Sequence, residues 1–556
     1  MKQINVAALS ILFLSLASAL GAQGLMDYIS GSFEANGNIF IRDEAIGAAN
    51  TPQYDHQLFG ADAWFDLRYS QWGFDLGFRF DIFNNSTLLN PLDSYTEEGI
   101  GMWYVHKSIG KLEITAGYIY DQIGAGLIFR SYEVRPLLID NALIGAKLEY
   151  ELFPDWKIKA FSGRQKRQFD NYRPVISGAS FEGFLSGGEN TYWSISPGIG
   201  MVNRTLDDLT VEELIADLQT YTPVDSVGLS YNTYAISLYN TLTVNNFTWY
   251  LEGAYKSPEL IFDPFADKTN WDGSTSKGKY VRNDGYILYS SMSYASKGLG
   301  ITFDARATQN FEFRVSPFSA QLQGLMNYIP PMARQNTYRL NARYNAVPQF
   351  LGELAFQLDV KYAFNKNTNI SFNGSFINDF DGTGLYREAL VEFTTKKPQA
   401  YRFISGVQMQ FYNQVVFEIK PDAGVVQTIT PYVEYMHKFS RKKALKVEAQ
   451  YMYTGSDWSG IDKTGDLYRE FGDWIFLQAE YSVAPRWTFF ASDMWNIEPV
   501  KTEDLHYYSA GFAYTKGQNR FALSWVKQVE GVVCTGGVCR VEPAFNGVRL
   551  NVNANF

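Results

Sequence analysis

The sequence contains no apolar run that could cross a membrane as a helix. After residue 25, no window approaches the roughly eighteen consecutive uncharged apolar residues that a transmembrane helix requires. Long stretches of the helix-forming residues Ala, Leu, Glu and Lys are nearly absent as well. These absences exclude a helical inner-membrane protein and leave strands as the main building element.

Histidine occurs at only four positions, which limits the catalytic arrangements available to the chain. The sharpest one combines Asp504-Leu505-His506 with Asp379-Phe380-Asp381, a pattern similar to that of the surface proteases called omptins, which are much smaller proteins. Such short motifs arise by chance in an acidic chain. We therefore predict that the protein is not an enzyme and has no catalytic residue and no cofactor.

Basic residues are outnumbered by acidic ones. The chain has 48 Lys and Arg against 58 Asp and Glu, and its formal net charge is −10. An acidic surplus is repelled by phosphate backbones, so we predict no nucleic-acid partner. Acidic residues cluster between Asp457 and Asp473, but their spacing does not match a known calcium loop, and we predict no metal site.

The N-terminus has the three-part layout of a secretory signal peptide. Met1-Lys2 is positive, the run from Val6 to Leu20 is apolar apart from serines, and small residues follow as far as Ala22. No cysteine lies near the cleavage site, so a lipoprotein anchor is not expected. We predict a cleaved signal peptide at residues 1–22, followed by one exported domain at residues 23–556.

Aromatic residues are abundant, with 37 tyrosines and 41 phenylalanines, and apolar and polar residues alternate along many segments. Successive side chains of a strand point to opposite faces, so alternation gives one apolar and one polar face. The pattern recurs in Phe59–Tyr69, Phe74–Ile82, Leu112–Tyr120, Phe356–Phe364, Leu445–Tyr453 and Val548–Phe556. It predicts an all-β fold, a single transmembrane antiparallel β-barrel with an even number of about 20 to 26 strands.

The lengths of the connections between strands predict which end of the barrel faces outwards and which faces the periplasm. Longer segments such as Ser257–Gly285 and Thr454–Asp473 fit the outer rim of a bacterial barrel. Short turns fit the periplasmic rim; they are Ser70–Gly73, Asn365–Asn369, Ala484–Arg486 and Lys516–Asn519.

The stretch Leu206–Tyr221 interrupts the strand pattern. Thr210-Val211-Glu212-Glu213 resembles a capping box, and leucines at 206, 209, 214 and 218 fall on roughly one stripe. This predicts a short helix within a loop, which either covers loop backbone or closes the pore.

The two cysteines, Cys534 and Cys539, flank a Thr-Gly-Gly-Val sequence. Close cysteines in an exported protein usually oxidise, and the Gly-Gly centre allows a tight reversal. We predict a disulfide in the loop before the last strand. A metal site is the alternative, but it needs about four ligands and no histidine is nearby.

The segment Gln122–Lys147 is the most unusual part of the predicted wall. Arg130, Glu133, Arg135 and Asp140 lie close together in it, and Gly124 and Gly126 would allow a bend. Two interpretations remain open. The charges could form a lumen constriction that selects solutes, or they could form an internal salt-bridge network.

Three stretches together resemble a family of Bacteroidota outer-membrane proteins that has no assigned function: Gln122–Lys147, Tyr481–Asn496 and Cys534–Phe556. The resemblance implies a barrel from that phylum and transfers no catalytic or binding residue. It is unlike the TonB-dependent receptors, because no plug domain is expected ahead of the barrel. The terminal Phe556 closes an alternating strand and resembles the signal that the barrel-assembly machinery recognises.

The expected location is the cell outer membrane, in contact with its lipid and lipopolysaccharide. Two functions are predicted as alternatives. One is a porin-like channel for small solutes. The other is a structural or assembly component of the cell surface, with a filled lumen and with loops that bind a surface protein partner such as a secretion or gliding apparatus.

Overall fold

In the computed structural model, 24 antiparallel strands form a closed β-barrel. The structure describes residues 28–90, 92–188, 191–319, 323–350, 352–418, 424–454, 472–497, 505–535 and 538–556. The predicted fold class and the predicted range of strand number are both confirmed. Within the described residues, no helix is long and apolar enough to span a bilayer. The predicted signal peptide, residues 1–22, lies outside the described residues.

The barrel strands are numbered in chain order. Their bounds are β1 Ile29–Phe40, β2 Phe59–Gln71, β3 Phe74–Ser86, β4 Tyr95–Ile109, β5 Leu112–Ile119, β6 Leu143–Phe153, β7 Trp156–Arg167, β8 Asp170–Gly183, β9 Trp193–Thr205, β10 Asn232–Val244, β11 Phe247–Thr269, β12 Thr275–Ser296, β13 Leu299–Gln309, β14 Gly352–Asn365, β15 Thr368–Asn378, β16 Gly384–Lys397, β17 Tyr401–Asn413, β18 Val425–Ser440, β19 Lys443–Thr454, β20 Trp474–Val483, β21 Trp487–Asn496, β22 His506–Lys516, β23 Asn519–Gln528 and β24 Phe545–Asn555. A short strand, Leu185–Gly187, extends the pairing of β8 with β9.

The barrel closes where β1 pairs antiparallel with β24, in a register that sets Ile39 opposite Val548. Gly31 and Phe556 exchange two backbone hydrogen bonds of 2.9 and 3.0 Å at the end of this pairing. A Cβ atom on Gly31 would lie 2.3 Å from the Phe556 ring, so the aromatic ring packs directly over this glycine. The C-terminal residue is therefore built into the closing seam.

The two faces of the wall follow the predicted alternation. In β2, Gly60, Asp62 and Trp64 are buried towards the lumen, whereas Phe59 on the other face is exposed. Large apolar side chains are likewise exposed on the outer face of many other strands. An apolar outer face around a polar interior is the arrangement of outer-membrane barrels.

One part of the predicted outer face is wrong. Tyr118 and Tyr120 were expected to alternate with polar residues on the lipid side. Tyr118 is instead buried with the Lys166 ammonium over its ring, and the Tyr120 hydroxyl donates to Asp140. Gly117 just before them has φ +104°, a left-handed conformation that interrupts the alternation of β5.

The two ends of the barrel differ in the length of their connections. One end, here called the short-turn rim, carries tight turns that include 72–73, 366–367, 484–486 and 517–518. The other end, the long-loop rim, carries connections that include 41–58, 206–231 and 310–351. The predicted short turns all lie at the short-turn rim, as their lengths indicated. The predicted long segment Thr454–Asp473 lies mostly outside the described residues.

A long hairpin projects from the long-loop rim. Strand β10 pairs with β11 only as far as Lys256, and β13 pairs with β12 only from Tyr286. Between these points β11 and β12 continue to pair with each other beyond the wall. The predicted long outer segment at 257–285 is thus a β-hairpin rather than an irregular loop.

The predicted short helix is α1, Asp208–Leu218, and it packs against this hairpin. Its N-cap is Asp207, whose carboxylate accepts from the Thr210 backbone N–H at 3.2 Å, so the predicted capping role of Thr210 is wrong. Leu214 is buried against Leu260 of the hairpin, but Leu209 is half exposed and lies off the buried stripe. The helix covers the hairpin and does not enter the lumen.

The backbone around the two cysteines forms a separate hairpin of two strands, Gly531–Thr535 and Val538–Glu542. Cys534 and Cys539 are directly opposite in its register. The disulfide between them stays a prediction. In denatured, unreduced protein we expect neither thiol to react with a maleimide, and we expect both to react after reduction. Labelling of both thiols without reductant would contradict the bond.

Candidate functional site

Two long connections of the long-loop rim turn inwards and fill part of the lumen. The first inner segment is residues 120–142, between β5 and β6. The predicted wall position of Gln122–Lys147 is therefore wrong up to residue 142. The wall pairing of β5 with β6 ends at Ile119 and Leu143, which are direct partners, and the residues between them leave the sheet.

The second inner segment is residues 310–351, between β13 and β14. It also leaves and rejoins the wall at paired neighbours, Gln309 and Gly352. Sequence reasoning did not single out this segment. Each inner segment is thus an insertion into a simple hairpin of the wall.

The first inner segment approaches the wall very closely at Gly124. Its φ is +56°, and a Cβ atom there would lie 2.7 Å from a Glu252 carboxylate oxygen. That carboxylate accepts a 2.7 Å hydrogen bond from the Ala125 backbone N–H. Glycine is needed here both for the left-handed conformation and for the close contact. The adjoining apolar residues are almost completely buried; they are Ile123, Leu127, Ile128 and Phe129.

The two inner segments bind each other by backbone hydrogen bonds. Arg130 N–H donates to Met326 O at 2.8 Å, and Tyr328 N–H donates to Gly126 O at 2.9 Å. Their apolar side chains join lumen-facing side chains of the wall in one buried cluster, with Phe161, Ile176, Val202, Ala235 and Ile287 among the wall members. Burying apolar surface of this extent stabilises the inner segments in place.

Three buried cations of the wall hold the second inner segment by its backbone; we call them the anchoring cations. Arg204 donates to Arg314 O at 2.9 Å, Lys256 donates to Glu312 O, and Arg306 donates to Pro330 O. Each side chain is at most 2% exposed. Charge-assisted hydrogen bonds to carbonyl oxygens in such a buried place are strong.

Two buried carboxylates pair with the three anchoring cations. Glu259 pairs with Arg204 at 3.0 Å and also with Lys256, and Glu353 pairs with Arg306. Glu353 additionally accepts a 2.7 Å hydrogen bond from the Gln349 backbone N–H. The second inner segment is therefore hydrogen-bonded to side chains that are themselves fixed in buried ion pairs outside the segment.

The far part of the second inner segment reaches the opposite wall. Leu340 N–H donates to the Gln450 side chain at 2.7 Å, and the Gln410 side chain donates to Tyr344 O at 2.9 Å. The Arg343 guanidinium lies 4.3 Å from the centre of the Trp474 ring. The segment thus spans the lumen from β9 to β20.

A charge network surrounds the end of the first inner segment. Arg79 of β3 is 2% exposed and binds three carboxylates: Asp81 at 2.7 Å, Glu133 at 2.6 Å and Asp140 at 2.9 Å. Lys166 lies 2.5 Å from Asp140. Burial raises the pKa of Asp140, but the Lys166 and Arg79 charges outweigh this and hold the pKa below its ordinary value. Asp140 is therefore a carboxylate at neutral pH.

The four predicted constriction residues all lie in the lumen, yet they do not act alike. Glu133 and Asp140 are opposite each other in a small hairpin and share Arg79. Arg135 binds Glu133 and also two wall carboxylates, Glu34 and Asp66, both at 2.9 Å.

Arg130 stands apart from this network. Its guanidinium lies 4.8 Å from the Tyr132 ring centre and 4.1 Å from the Tyr328 ring centre. The geometry favours the predicted salt-bridge network over the predicted selectivity filter, because three of the four charges are already paired.

Sequence reasoning missed the anchoring cations and the second inner segment. A signal for them was present in the wall strands themselves. Apolar side chains such as Ile176, Val202 and Ile287 occupy lumen positions, where an open water-filled pore would favour polar ones. Apolar side chains at lumen positions beside Arg204 and Arg306 indicate that another part of the chain packs against them inside the barrel.

The short-turn side of the second inner segment leaves a polar cavity of about 400 Å³. Its wall side is contributed by β13 to β16 and its upper side by Ala333, Arg334 and Gln335; the charged wall residues are Asp304, Asp359, Lys361 and Glu392. The cavity could hold a hydrated polar solute.

The candidate catalytic motif is not assembled in the described part of the chain. His506 Nδ1 lies 2.7 Å from Asp493, and its ring stacks on Trp495, on a neighbouring strand. Asp504 and the acidic residues Asp457, Asp462 and Asp466 lie outside the described residues. Among described residues, no group of three or more His, Cys, Asp or Glu could hold a metal ion.

Comparison with known proteins finds one family model, described as "Family of unknown function (DUF6029)", which matches residues 1–556. Among proteins with curated descriptions, none matches this sequence.

Several solved structures are similar at low identity. A ferric enterobactin receptor mutant from Pseudomonas aeruginosa is 9% identical with a TM-score of 0.45, over 95% of this chain and 81% of that one. The P pilus usher translocation pore is 9% identical with a TM-score of 0.43, over 95% of this chain and 99% of that one. The outer membrane protein OpdK from Pseudomonas aeruginosa is 11% identical with a TM-score of 0.33, over 69% and 92%.

Proposed function

Since this chain belongs to the DUF6029 family, whose description names no activity, we propose its function from its own geometry. We propose that the protein is a structural or assembly component of the bacterial surface, an outer-membrane barrel with a filled lumen. In this proposal the protein is not an enzyme, and its long-loop rim presents the binding surface for a surface protein partner.

One observation carries the proposal, namely the way in which the second inner segment is held. A selectivity loop in an open pore would be lined by solvated charges. Here the Arg204, Lys256 and Arg306 side chains are buried and bound to backbone carbonyls of the segment. Releasing the segment would expose apolar surface and would leave the three buried cations without their backbone acceptors.

The orientation follows the rule for bacterial barrels that short turns face the periplasm and long loops face outside. Helix α1 and the projecting hairpin of β11 and β12 then stand on the cell surface. Under this proposal the chain is exported with residues 1–22 as a signal peptide, and Phe556 is recognised by the barrel-assembly machinery. Lipid and lipopolysaccharide surround the wall, the host belongs to the Bacteroidota, and the partner is a component such as a secretion or gliding apparatus.

A porin-like channel is the second candidate, and the polar cavity favours it. The cavity of about 400 Å³ lies at the short-turn side and is lined by charged and amide side chains. A solute could enter it from that side. Passage through the barrel would additionally require the second inner segment to move away from its anchoring cations.

Conductance of the purified wild-type protein in a planar bilayer distinguishes the two. We expect insertion without sustained current steps, because the inner segments occupy the lumen. Folding of the barrel is checked independently by the anomalous migration of unheated samples on gels, and insertion is checked by co-flotation of the protein with lipid vesicles. Steady ionic steps from correctly folded wild-type protein would support the channel and overturn the filled-lumen proposal.

A further inference from the structure

One half of the short-turn rim carries a regular series of basic side chains. Five successive short turns, from the β14–β15 turn to the β22–β23 turn, each hold or adjoin at least one exposed lysine or arginine. We call the cations that lie within these turns or form the last residue of the strand before them the basic half-ring; it consists of Lys366, Lys397, Arg441, Lys442, Arg486 and Lys516.

The half-ring is free of opposing charge. The turn sequences at 365–368, 396–400, 440–443, 484–487 and 516–519 contain no Asp or Glu. Among the described residues, none of the six has a carboxylate oxygen within 4.0 Å. On the other half of the rim, by contrast, Lys111 pairs with Glu151 at 3.5 Å and Asp155 lies in the next turn. Positive potential is thus concentrated on one side.

Aromatic side chains of the outer face mark the depth of the half-ring. Phe364, Phe439 and Trp487 are exposed on the outer face and lie within two residues of Lys366, Arg441 and Arg486, respectively. Aromatic girdles of barrels sit at the level of the lipid headgroups. A residue rises about 3.3 Å along a strand, so the cations lie at the level of the lipid phosphates or just beyond it.

We propose that the basic half-ring binds the headgroups of anionic phospholipids in the leaflet around the short-turn rim. Lysine and arginine near a membrane surface attract anionic lipid, and each changes the partitioning by roughly fivefold. The six cations are spread along a curved rim instead of forming one patch. Such a row fits several separate lipid phosphates better than it fits one acidic protein surface. The barrel would then collect anionic lipid on one side only.

The test uses the whole purified barrel with phosphatidylglycerol and phosphatidylcholine that carry identical acyl chains. The protein is equilibrated with an equimolar mixture in detergent and isolated again, and the retained lipids are quantified by mass spectrometry. We expect retention of phosphatidylglycerol over phosphatidylcholine by roughly tenfold at low salt. In 1 M salt we expect most of this preference to disappear, because the charges are exposed and are screened.

Two variants with equal change in net charge decide where the lipid binds. In the first, the six half-ring residues are replaced by Gln, and the preference should fall to near one. In the second, six other exposed cations are replaced by Gln, and the preference should persist; these are Arg42, Lys111, Lys157, Arg173, Lys277 and Arg282. A third variant exchanges Lys and Arg within the half-ring, keeps the charge and should keep the preference.

The outcomes separate this proposal from its competitors. An equal loss in both Gln variants would show a general charge effect and would overturn the proposal. Wild-type protein without a preference would overturn it too, and an acidic protein would then be the better partner for the half-ring. If the first variant fails to fold, its six substitutions are divided between two variants of three residues each; each of these should lose part of the preference, whereas the second Gln variant should keep it. None of these results depends on whether the lumen conducts.

Discussion

Replacing residues 310–351 by a four-residue turn should convert the barrel into a conducting pore. The expected result follows from the register, because Gln309 and Gly352 are direct partners and a tight turn can join them without disturbing β13 or β14. Removing the segment empties the part of the lumen between β9 and β20. In planar bilayers we expect discrete current steps larger than those of a porin of about 16 to 18 strands recorded in the same buffer.

A matched excision provides the control. Ile119 and Leu143 are also direct partners, so residues 120–142 can be replaced in the same way. This variant keeps the anchoring cations and their carbonyl partners, and its current should be smaller than that of the first. Both variants should keep the anomalous gel migration of a folded barrel. A correctly folded 310–351 excision without current would contradict the view that this segment closes the lumen.

The substitution Arg79→Met should destabilise the barrel strongly. We expect a larger effect than from any other single substitution that removes a charged side chain near the first inner segment. The substitution leaves Asp81, Glu133 and Asp140 without their shared guanidinium in a place where Arg79 is 2% exposed. Breaking a buried ion pair by removing one partner costs about 3 to 5 kcal/mol. The measurement is the free energy of unfolding in urea, with the protein in detergent micelles.

The loss of unfolding free energy in Arg79→Met should depend on pH. A loss caused by packing alone would not. In wild-type protein the Arg79 charge helps to keep the pKa of Asp140 low, and the substitution lets that pKa rise. Protonation then neutralises the stranded carboxylate, so the difference in unfolding free energy between wild type and variant should shrink as pH falls from about 7 towards 4. A difference that does not change with pH would contradict the electrostatic account.

Arg42→Met is the matched control for Arg79→Met. Arg42 also binds two carboxylates, Glu44 at 2.9 Å and Asp55 at 2.8 Å, but its side chain is 47% exposed. Ion pairs of this kind contribute about 0 to 1 kcal/mol. An equal loss in both variants would show that burial does not decide the effect.

The wall of this barrel could be predicted from local sequence because its rules are local. The alternation in β2 and the lengths of turns such as 366–367 depend on neighbouring residues only, and both were predicted correctly. The exception at Tyr118 arises from a single glycine conformation at Gly117, which alternation does not encode.

The contents of the lumen could not be predicted in this way, because they depend on contacts between distant residues. Arg79 meets Glu133 across 54 positions of the chain, and Gln450 meets Leu340 across 110. The charged cluster from Arg130 to Asp140 was visible in the sequence, and Asp66 was among the lumen carboxylates expected to pair with its arginines, but its partners Arg79 and Lys166 were not foreseen. These partners favour the salt-bridge network over the lumen constriction, and the role of the four residues stays a prediction.

The second inner segment also has a mechanical consequence. A barrel wall is a single layer whose hydrogen bonds run around its circumference, so the wall alone resists stretching far better than it resists flattening. The segment is fixed to β9 through Arg204, to β13 through Arg306 and to β19 through Gln450. The segment therefore connects opposite sides of the wall through the inside of the barrel. A segment fixed to both sides of the wall in this way should make the barrel harder to flatten in the bilayer.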